Sequence, residues 1–195
     1  MMNERTETRT VVFAMCGSFC SFAAVLPQIR ELRRRGWAVL PLLSARAAAL
    51  DTRFGTAAQL RRTLRELTGR EPLTSLQQAE PLGPQKLADA MAIAPCTGTT
   101  LALLARGISG TAVTLAAKSL LRGGRPIVLA PSTNDGLAGS APNLAALLQR
   151  KHFYFVPFGQ DDCYKKPASL KSDFTLLPDT LESAMRGVQL QPLLL

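Results

Sequence analysis

Two periods of apolar spacing alternate along the chain, and each switch between them marks a new element. Thr10-Val-Val-Phe-Ala-Met15 is a short β-rich apolar run that stops at Gly17-Ser18. From about Ser21 to Arg35 the spacing becomes helical, with Val25, Ile29 and Leu32 on one face and Arg30, Arg33 and Arg34 opposite. Gly36 offers that helix a C-terminal cap, and Trp37 to Leu43 reads as a second buried strand closing at Ser44. A strand, a turn, a helix, a glycine and a strand make a βαβ unit, and parallel strands need such crossovers.

The pattern continues. Phe54 to Thr68 predicts a second helix with an arginine-bearing outer face and Gly69 at its end. Pro72 to Pro84 reads as a loop. Ala88 to Ala94 is a third strand ending at Pro95, and Thr97–Arg106 and Ala112–Arg122 are two short helices around Gly107 and Gly110. Arg125 to Ala130 is a fourth strand ending at Pro131, Asn143–Arg150 a helix, Phe153–Phe158 a fifth strand and Pro178–Arg186 a last helix. No repeat or long linker interrupts them. The prediction is one α/β domain over residues 1–195, with residues 1–9 as a flexible tail. Its sheet is mostly parallel, Rossmann-like or flavodoxin-like, with helices on both faces.

Composition agrees with a packed domain: 47% of the 195 residues are apolar and 19% charged, while aromatics are only 6%. The net charge of +9 is uneven, since residues 1–70 hold 12 Lys+Arg against 5 Asp+Glu. A basic half invites a nucleic-acid reading, but the longest basic run is Arg33-Arg34-Arg35 and no aromatic platform lies among the arginines. An anionic small substrate accounts for the charge, and no nucleic-acid partner is expected. Cys16, Cys20, Cys96 and Cys163 make neither a disulfide framework nor, with His152 the only histidine, a zinc site. No metal is expected. The polar N-terminus lacks a signal-peptide pattern, and no apolar stretch approaches the length of a membrane span. The expected setting is the cytoplasm, away from membranes.

In open parallel sheets, ligands bind outside the carboxyl ends of the strands. Here those ends carry Gly17-Ser18, Ser44, Thr97-Gly98-Thr99-Thr100 and Ser132-Thr133-Asn134-Asp135. Hydroxyls and the N–H groups of a helix start together make a phosphate cradle. Each such residue could equally be a cap stabilising its helix by about 1 kcal/mol. Gly17, Ser18, Ser44, Thr97 and Thr100 are expected to line a phosphate-sized pocket. Neither GxGxxG nor GxxxxGK[ST] occurs, so a dinucleotide fingerprint and a P-loop are both excluded.

Pro95-Cys-Thr-Gly-Thr-Thr-Leu-Ala102 resembles the Pro-x-Ser-x-Asn-Thr-x-Ala loop of the flavoprotein superfamily, which holds FMN-dependent cysteine decarboxylases and prenyl-flavin synthases. Gly17-Ser18 and Ser44 are similar to its first two phosphate-side loops. Gly124-Arg-Pro-Ile-Val-Leu-Ala-Pro-Ser-Thr-Asn134 resembles its Lys-Pro-Val-x-x-x-Pro-x-Met-Asn strand and loop. Thr52-Arg-Phe-Gly55, Ala79-Glu-Pro-Leu-Gly-Pro84 and Val156-Pro-Phe-Gly-Gln-Asp-Asp162 with Lys165-Lys-Pro167 resemble one branch, the B subunits of dipicolinate synthase from spore-forming bacteria.

The resemblance implies an FMN pocket drawing on Gly17, Ser18, Ser44, Thr97, Gly98, Thr99, Thr100, Ser132, Thr133 and Asn134, in a homo-oligomer that is a trimer or a multiple of one. It also implies a part in oxidising a dihydrodipicolinate-level precursor to pyridine-2,6-dicarboxylate during sporulation. A separate partner, the dipicolinate synthase A subunit, is expected to bring the NAD(P) site. The decarboxylases use an early-helix His and an Asn in the Pro-x-Ser-x-Asn-Thr loop. Here Thr99 takes the Asn position and no His precedes His152, so cysteine-type decarboxylation is not implied; the alternatives are a stand-alone FMN-dependent decarboxylase or flavin-modifying transferase, or a non-catalytic scaffold for the partner subunit.

Arg53, Lys86, Lys118, Lys165 and Lys166 are candidates to hold a small dicarboxylate, or are solvated surface charges. Arg53, beside the second strand-end loop, and Lys86 stand foremost as substrate-binding residues. Asn134 and Asp135 are the catalytic candidates, with an Asx-turn as the plain reading of Asn134. Asp161 and Asp162 could act as a base, orient a lysine or simply form a turn. Cys16 is expected in the core, Cys20 facing a ligand or not, and His152 on the surface.

Overall fold

The computed structural model of the protein describes residues 8–195. Five strands run parallel: β1 (Thr10–Met15), β2 (Ala38–Leu43), β3 (Ala90–Cys96), β4 (Ile127–Thr133) and β5 (Phe153–Phe155). They lie in the order β2-β1-β3-β4-β5, the flavodoxin-like arrangement. The pleat sends alternate side chains to opposite faces. Val11, Phe13 and Met15 of β1 enter one core cluster, while Val12, Ala14 and Cys16 enter the other.

Helices cover both faces. The first carries α1 (Phe22–Arg34), α2 (Ala45–Ala49), α3 (Ala57–Thr68) and α8 (Leu177–Met185), which bury Val25, Ile29, Leu32, Leu60, Leu64 and Leu181. The second carries α4 (Leu76–Ala79), α5 (Gly98–Ala105), α6 (Ala112–Leu121) and α7 (Ala141–Leu148) over Leu101, Val113, Leu120, Leu144 and Leu147. Gly36 and Gly69 follow α1 and α3 with φ of 86° and 70°, the left-handed conformation that closes a helix without a Cβ clash.

Several expectations need correction. The helix expected from Phe54 begins at Ala57, because Thr52 and Gly55 exchange backbone hydrogen bonds around a tight turn and Thr56 with Gln59 forms a capping box. The stretch expected as a loop from Pro72 to Pro84 holds α4, and its signal is the Ser75/Gln78 capping box. Both β3 and β4 run on through Pro95 and Pro131. A proline withdraws only its own N–H donor, so at the end of a ladder the chain stays extended past it.

The largest difference lies beyond Phe155. Phe153–Phe158 is not one strand: β5 stops at Phe155, and Phe158–Asp162 is β6, paired antiparallel with β7 (Lys166–Ser172). β7 also pairs antiparallel with the end of β4, Ser132 opposite Lys171 and Thr133 opposite Leu170. The sheet is therefore mixed, with seven strands. The polar hairpin sequence, with Pro167 inside it, shows none of the alternation by which a buried strand is read.

At the N-terminus, residues 1–7 of the expected tail lie outside the described residues, but Arg9 is held. Its guanidinium donates to both carboxylate oxygens of Glu182 at 2.8 and 3.0 Å and lies 4.4 Å over the ring of Trp37. Among the described residues, no helix is long and apolar enough to cross a membrane, and no cluster of His, Cys, Asp and Glu is placed to hold a metal.

Where α4 meets α6, space is tightest at Gly83. Its N–H donates to Ser119 Oγ at 2.9 Å, and a Cβ there would collide with the Ser119 backbone carbonyl. Backbone cannot yield as a flexible side chain would. Gly83→Ala is expected to cost about 1–3 kcal/mol of stability. A urea-unfolding midpoint unchanged from wild type would show that the two segments can part freely.

Candidate functional site

The carboxyl ends of β1, β3 and β4 open into a cavity of about 700 Å³, within the roughly 300–1,000 Å³ usual for small-molecule sites. Its floor is made of hydroxyls. Ser132 Oγ lies 2.8 Å from both Ser18 Oγ and Ser21 Oγ, and these two are 3.4 Å apart. Ser21 and Ser132 are buried. Because hydroxyl hydrogens rotate to suit their partners, this triangle can redirect protons toward an incoming oxyanion without moving a heavy atom.

Beside the triangle begins α5, with Thr97 as its N-cap accepting from Thr100 N–H. The first N–H groups of a helix lack intrahelical partners and carry partial positive charge. Gly98 brings that backbone close to the β4 loop. A Cβ there would lie 2.7 Å from Ser140 Oγ, 2.8 Å from Thr133 Oγ1 and 2.9 Å from Asp135 Oδ1. Only glycine fits without displacing that network.

Of the residues expected to hold a cofactor, Gly17, Ser18, Thr97, Gly98, Thr99, Ser132, Thr133 and Asn134 all line the cavity. Two are placed otherwise. Ser44 caps α2, accepting from Ala47 N–H at 3.3 Å, and does not line the cavity. Thr100 is buried and donates to Cys16 Sγ at 3.3 Å, so its hydroxyl points into the core. For these two the capping and core roles prevail.

The foremost substrate-binding candidates, Arg53 and Lys86, do not line the cavity. Arg53 sits at the tip of the Thr52–Gly55 turn with its guanidinium 4.8 Å from the centre of the Phe54 ring, and Phe54, not Arg53, lines the cavity. Lys86 lies in the turn just ahead of β3, where its N–H bonds Gly83 O. Residues preceding a parallel strand stand at the opposite end of the sheet from the cavity. Lys118 donates to Ser109 at 3.4 Å on α6, away from the site.

Asn134 and Asp135 both border the cavity. Asp135 accepts from Thr133 Oγ1 at 2.5 Å and Ser140 Oγ at 2.8 Å, and these two hydroxyls lower its carboxyl below the ordinary range. A carboxylate stabilised in this way is a weaker base, and it braces the loop. Burial pushes the Cys16 thiol up to about 11, the reverse of a reactive thiolate. Cys20 is exposed and borders the cavity, and His152 is exposed.

Sequence reasoning passed over Arg46, Phe54 and Lys171, all on the cavity wall. Arg46 is two residues past Ser44, so a wider reading of that strand end finds it. Lys171 has no such signal, since its place depends on the unrecognised hairpin. Asp161 and Lys166 are both candidates from the sequence. The fold joins them, Lys166 Nζ donating to Asp161 Oδ2 at 2.7 Å on the cavity rim.

Residues 2–172 match the Flavoprotein family model. The dipicolinate synthase B subunit of Bacillus subtilis (strain 168) is 42% identical over 186 residues, covering 95% of this chain and 93% of that protein. The crystal structure of the dipicolinate synthase B subunit from Bacillus halodurans C matches with a TM-score of 0.88 and 37% identity, over 96% of each chain. The FMN-dependent cysteine decarboxylase SpaF shares the fold, with a TM-score of 0.67 and 24% identity over 90% of this chain and 97% of that one.

The Asp135 network gives a pH signature. Its native carboxyl titrates lower than in the unfolded chain, so the unfolded state binds the proton more readily and acid favours unfolding. The charge contribution is complete above the unfolded value of about 3.9 and is lost as pH falls through the lower native value. Asp135→Asn keeps the acceptor and removes the charge. The stability gap between wild type and this variant is expected to be constant at neutral pH and to shrink below about pH 4. Urea midpoints that fall in parallel through that interval would refute the role.

Proposed function

The chain belongs to the Flavoprotein family and, within it, to the dipicolinate synthase B subunits, and on that footing we propose that its sheet-edge cavity binds FMN. The carrying observation is the cradle. The Ser18–Ser21–Ser132 hydroxyl triangle adjoins the start of α5, and Gly98 there admits no side chain. The donor set suits a phosphate: hydroxyls with rotatable protons and the amides of a helix N-terminus. Ser18, Ser132, Thr97 and Thr99 would hold the phosphate, with the exposed Asn134 amide able to meet a ring edge. Bound FMN supplies a reversible acceptor for two electrons and a proton.

The reaction proposed is oxidation of a dihydrodipicolinate-level precursor to pyridine-2,6-dicarboxylate during sporulation. Aromatisation removes two electrons and two protons from the ring. A partner, the dipicolinate synthase A subunit, brings the NAD(P) site that takes the hydride equivalent. This chain supplies the sheet-edge cavity, in the cytoplasm, as a trimer or a multiple of one. A stand-alone FMN decarboxylase finds less support: Thr99 occupies the loop position of an Asn, and the only histidine, His152, follows α7 on the surface.

Titrating the purified chain with FMN, read by quenching of flavin fluorescence, tests the cradle. Charge-assisted hydrogen bonds contribute about 1.5–3 kcal/mol, so Ser132→Ala is expected to weaken FMN binding about ten- to a hundredfold. Reconstitution with the A-type partner should yield dipicolinate only when both chains are present, and light scattering should give a trimer of 21.0 kDa chains or a multiple of that trimer. A chain that neither binds FMN nor raises the activity of that partner defeats the reading.

A further inference from the structure

On the cavity rim formed by the β6–β7 hairpin, beside the Ser132 end of the hydroxyl cradle, two lysines converge on one carboxylate. Asp161 Oδ2 accepts from Lys166 Nζ at 2.7 Å, and Asp161 Oδ1 lies 3.9 Å from Lys171 Nζ. Lys171 stands opposite Gly159 in the hairpin, and Asp161 lies in the register shift between Gln160 and Asp162, within reach of that lysine. Lys166 pairs with Asp162 beyond the register shift, and its side chain crosses to Asp161. All three border the cavity, as does Arg46, which approaches from α2 on the opposite wall.

The cluster is poorly explained by stability. The lysine side chains are 59% and 44% exposed, and ion pairs so exposed contribute little to folding. Its charges do not cancel either: two lysines meet one aspartate, and among the described residues Arg46 has no acidic partner. The other acid on the wall, Asp135, is turned to Thr133 and Ser140. The cavity thus keeps excess positive charge at two places on different elements, both open to a ligand. Arg46 offers a planar fork for a carboxylate, and the lysines offer two point charges.

We propose that these residues bind a small dicarboxylate, with Lys166 and Lys171 taking one carboxylate and Arg46 the other, while Asp161 keeps the lysines on the cavity side. The assignment rests on reading the cavity as the ligand site. It does not require that FMN be the cofactor. It replaces Arg53 and Lys86 as the anion-holding residues and gives the hairpin a task in substrate recognition.

The probe is pyridine-2,6-dicarboxylate, its affinity for the whole chain measured by calorimetry, with FMN affinity measured separately on the same preparations. The double substitution Lys166→Gln, Lys171→Gln and the single Arg46→Gln all lie at exposed positions, and circular dichroism checks that each variant folds. Each is expected to weaken the dicarboxylate about ten- to a hundredfold, with FMN affinity held within about twofold. Pyridine-2-carboxylate, with one carboxylate, is expected to bind more weakly than the diacid. Dicarboxylate affinity unchanged in both variants, no binding by wild type at millimolar probe, or a loss of FMN affinity in its place would overturn the proposal. A chain that ignores FMN but binds the diacid through these residues would instead refute the flavin reading and leave this one standing.

Discussion

At its carboxyl end β4 changes partners, and the ligand-facing edge of the molecule depends on that exchange. Ile127 to Leu129 pair in parallel with β3 and with the short β5. Because β5 stops at Phe155, the edge beside Ser132 and Thr133 is left free, and β7 takes it in the antiparallel sense. An open strand edge presents unpaired donors and acceptors that must be covered. Here the cover is the hairpin that carries Asp161, Lys166 and Lys171. Gly136 lets the following loop lie against it, since a Cβ there would come within 2.6 Å of Leu170.

That exchange also fixes the chemistry of the two sides of the cavity. One side is built from backbone ends of parallel strands and a helix start, where donors are preorganised and little can shift. The other is an exposed hairpin whose charges sit on long side chains. Its outer edge is held by the C-terminus: Phe158 N–H bonds Leu193 O at 3.0 Å, and Leu195 N–H bonds Phe158 O at 3.1 Å. A rigid cradle suits a group that stays, and a charged rim on flexible stems suits one that comes and goes.

The two faces of the sheet divide the work of stability. β3 gives Ala90, Ala92 and Ala94 to the side covered by α1 and α8, and Met91 and Ile93 to the side covered by α5 and α6. Small residues on one face and larger ones on the other set how far the helices stand from the sheet. Cys16 and Cys96 belong to this interior as small hydrophobes, their thiols raised by burial. Thiol chemistry at the cavity therefore has only Cys20 to draw on among the described residues.

Sequence alone determined what depends on local spacing. The five parallel strands, the apolar faces of α1 and α3, and the small hydroxyl loops after β1, β3 and β4 all follow from residues near one another in the chain. Eight of the ten positions that the family resemblance implies line the cavity, because strand ends in a parallel sheet must share one edge. The direction of a side chain once there was a tertiary matter. Thr100 turned inward to Cys16, Ser44 used its oxygen as a cap, and Arg53 lay on Phe54. The hairpin was the largest loss, and the reason is physical: its pairing partners lie far back along the chain on β4, and its own sequence is polar and interrupted by proline. No local period could reveal that Lys171 would border the same space as Arg46, since only the closing of β7 onto β4 brings the lysine there.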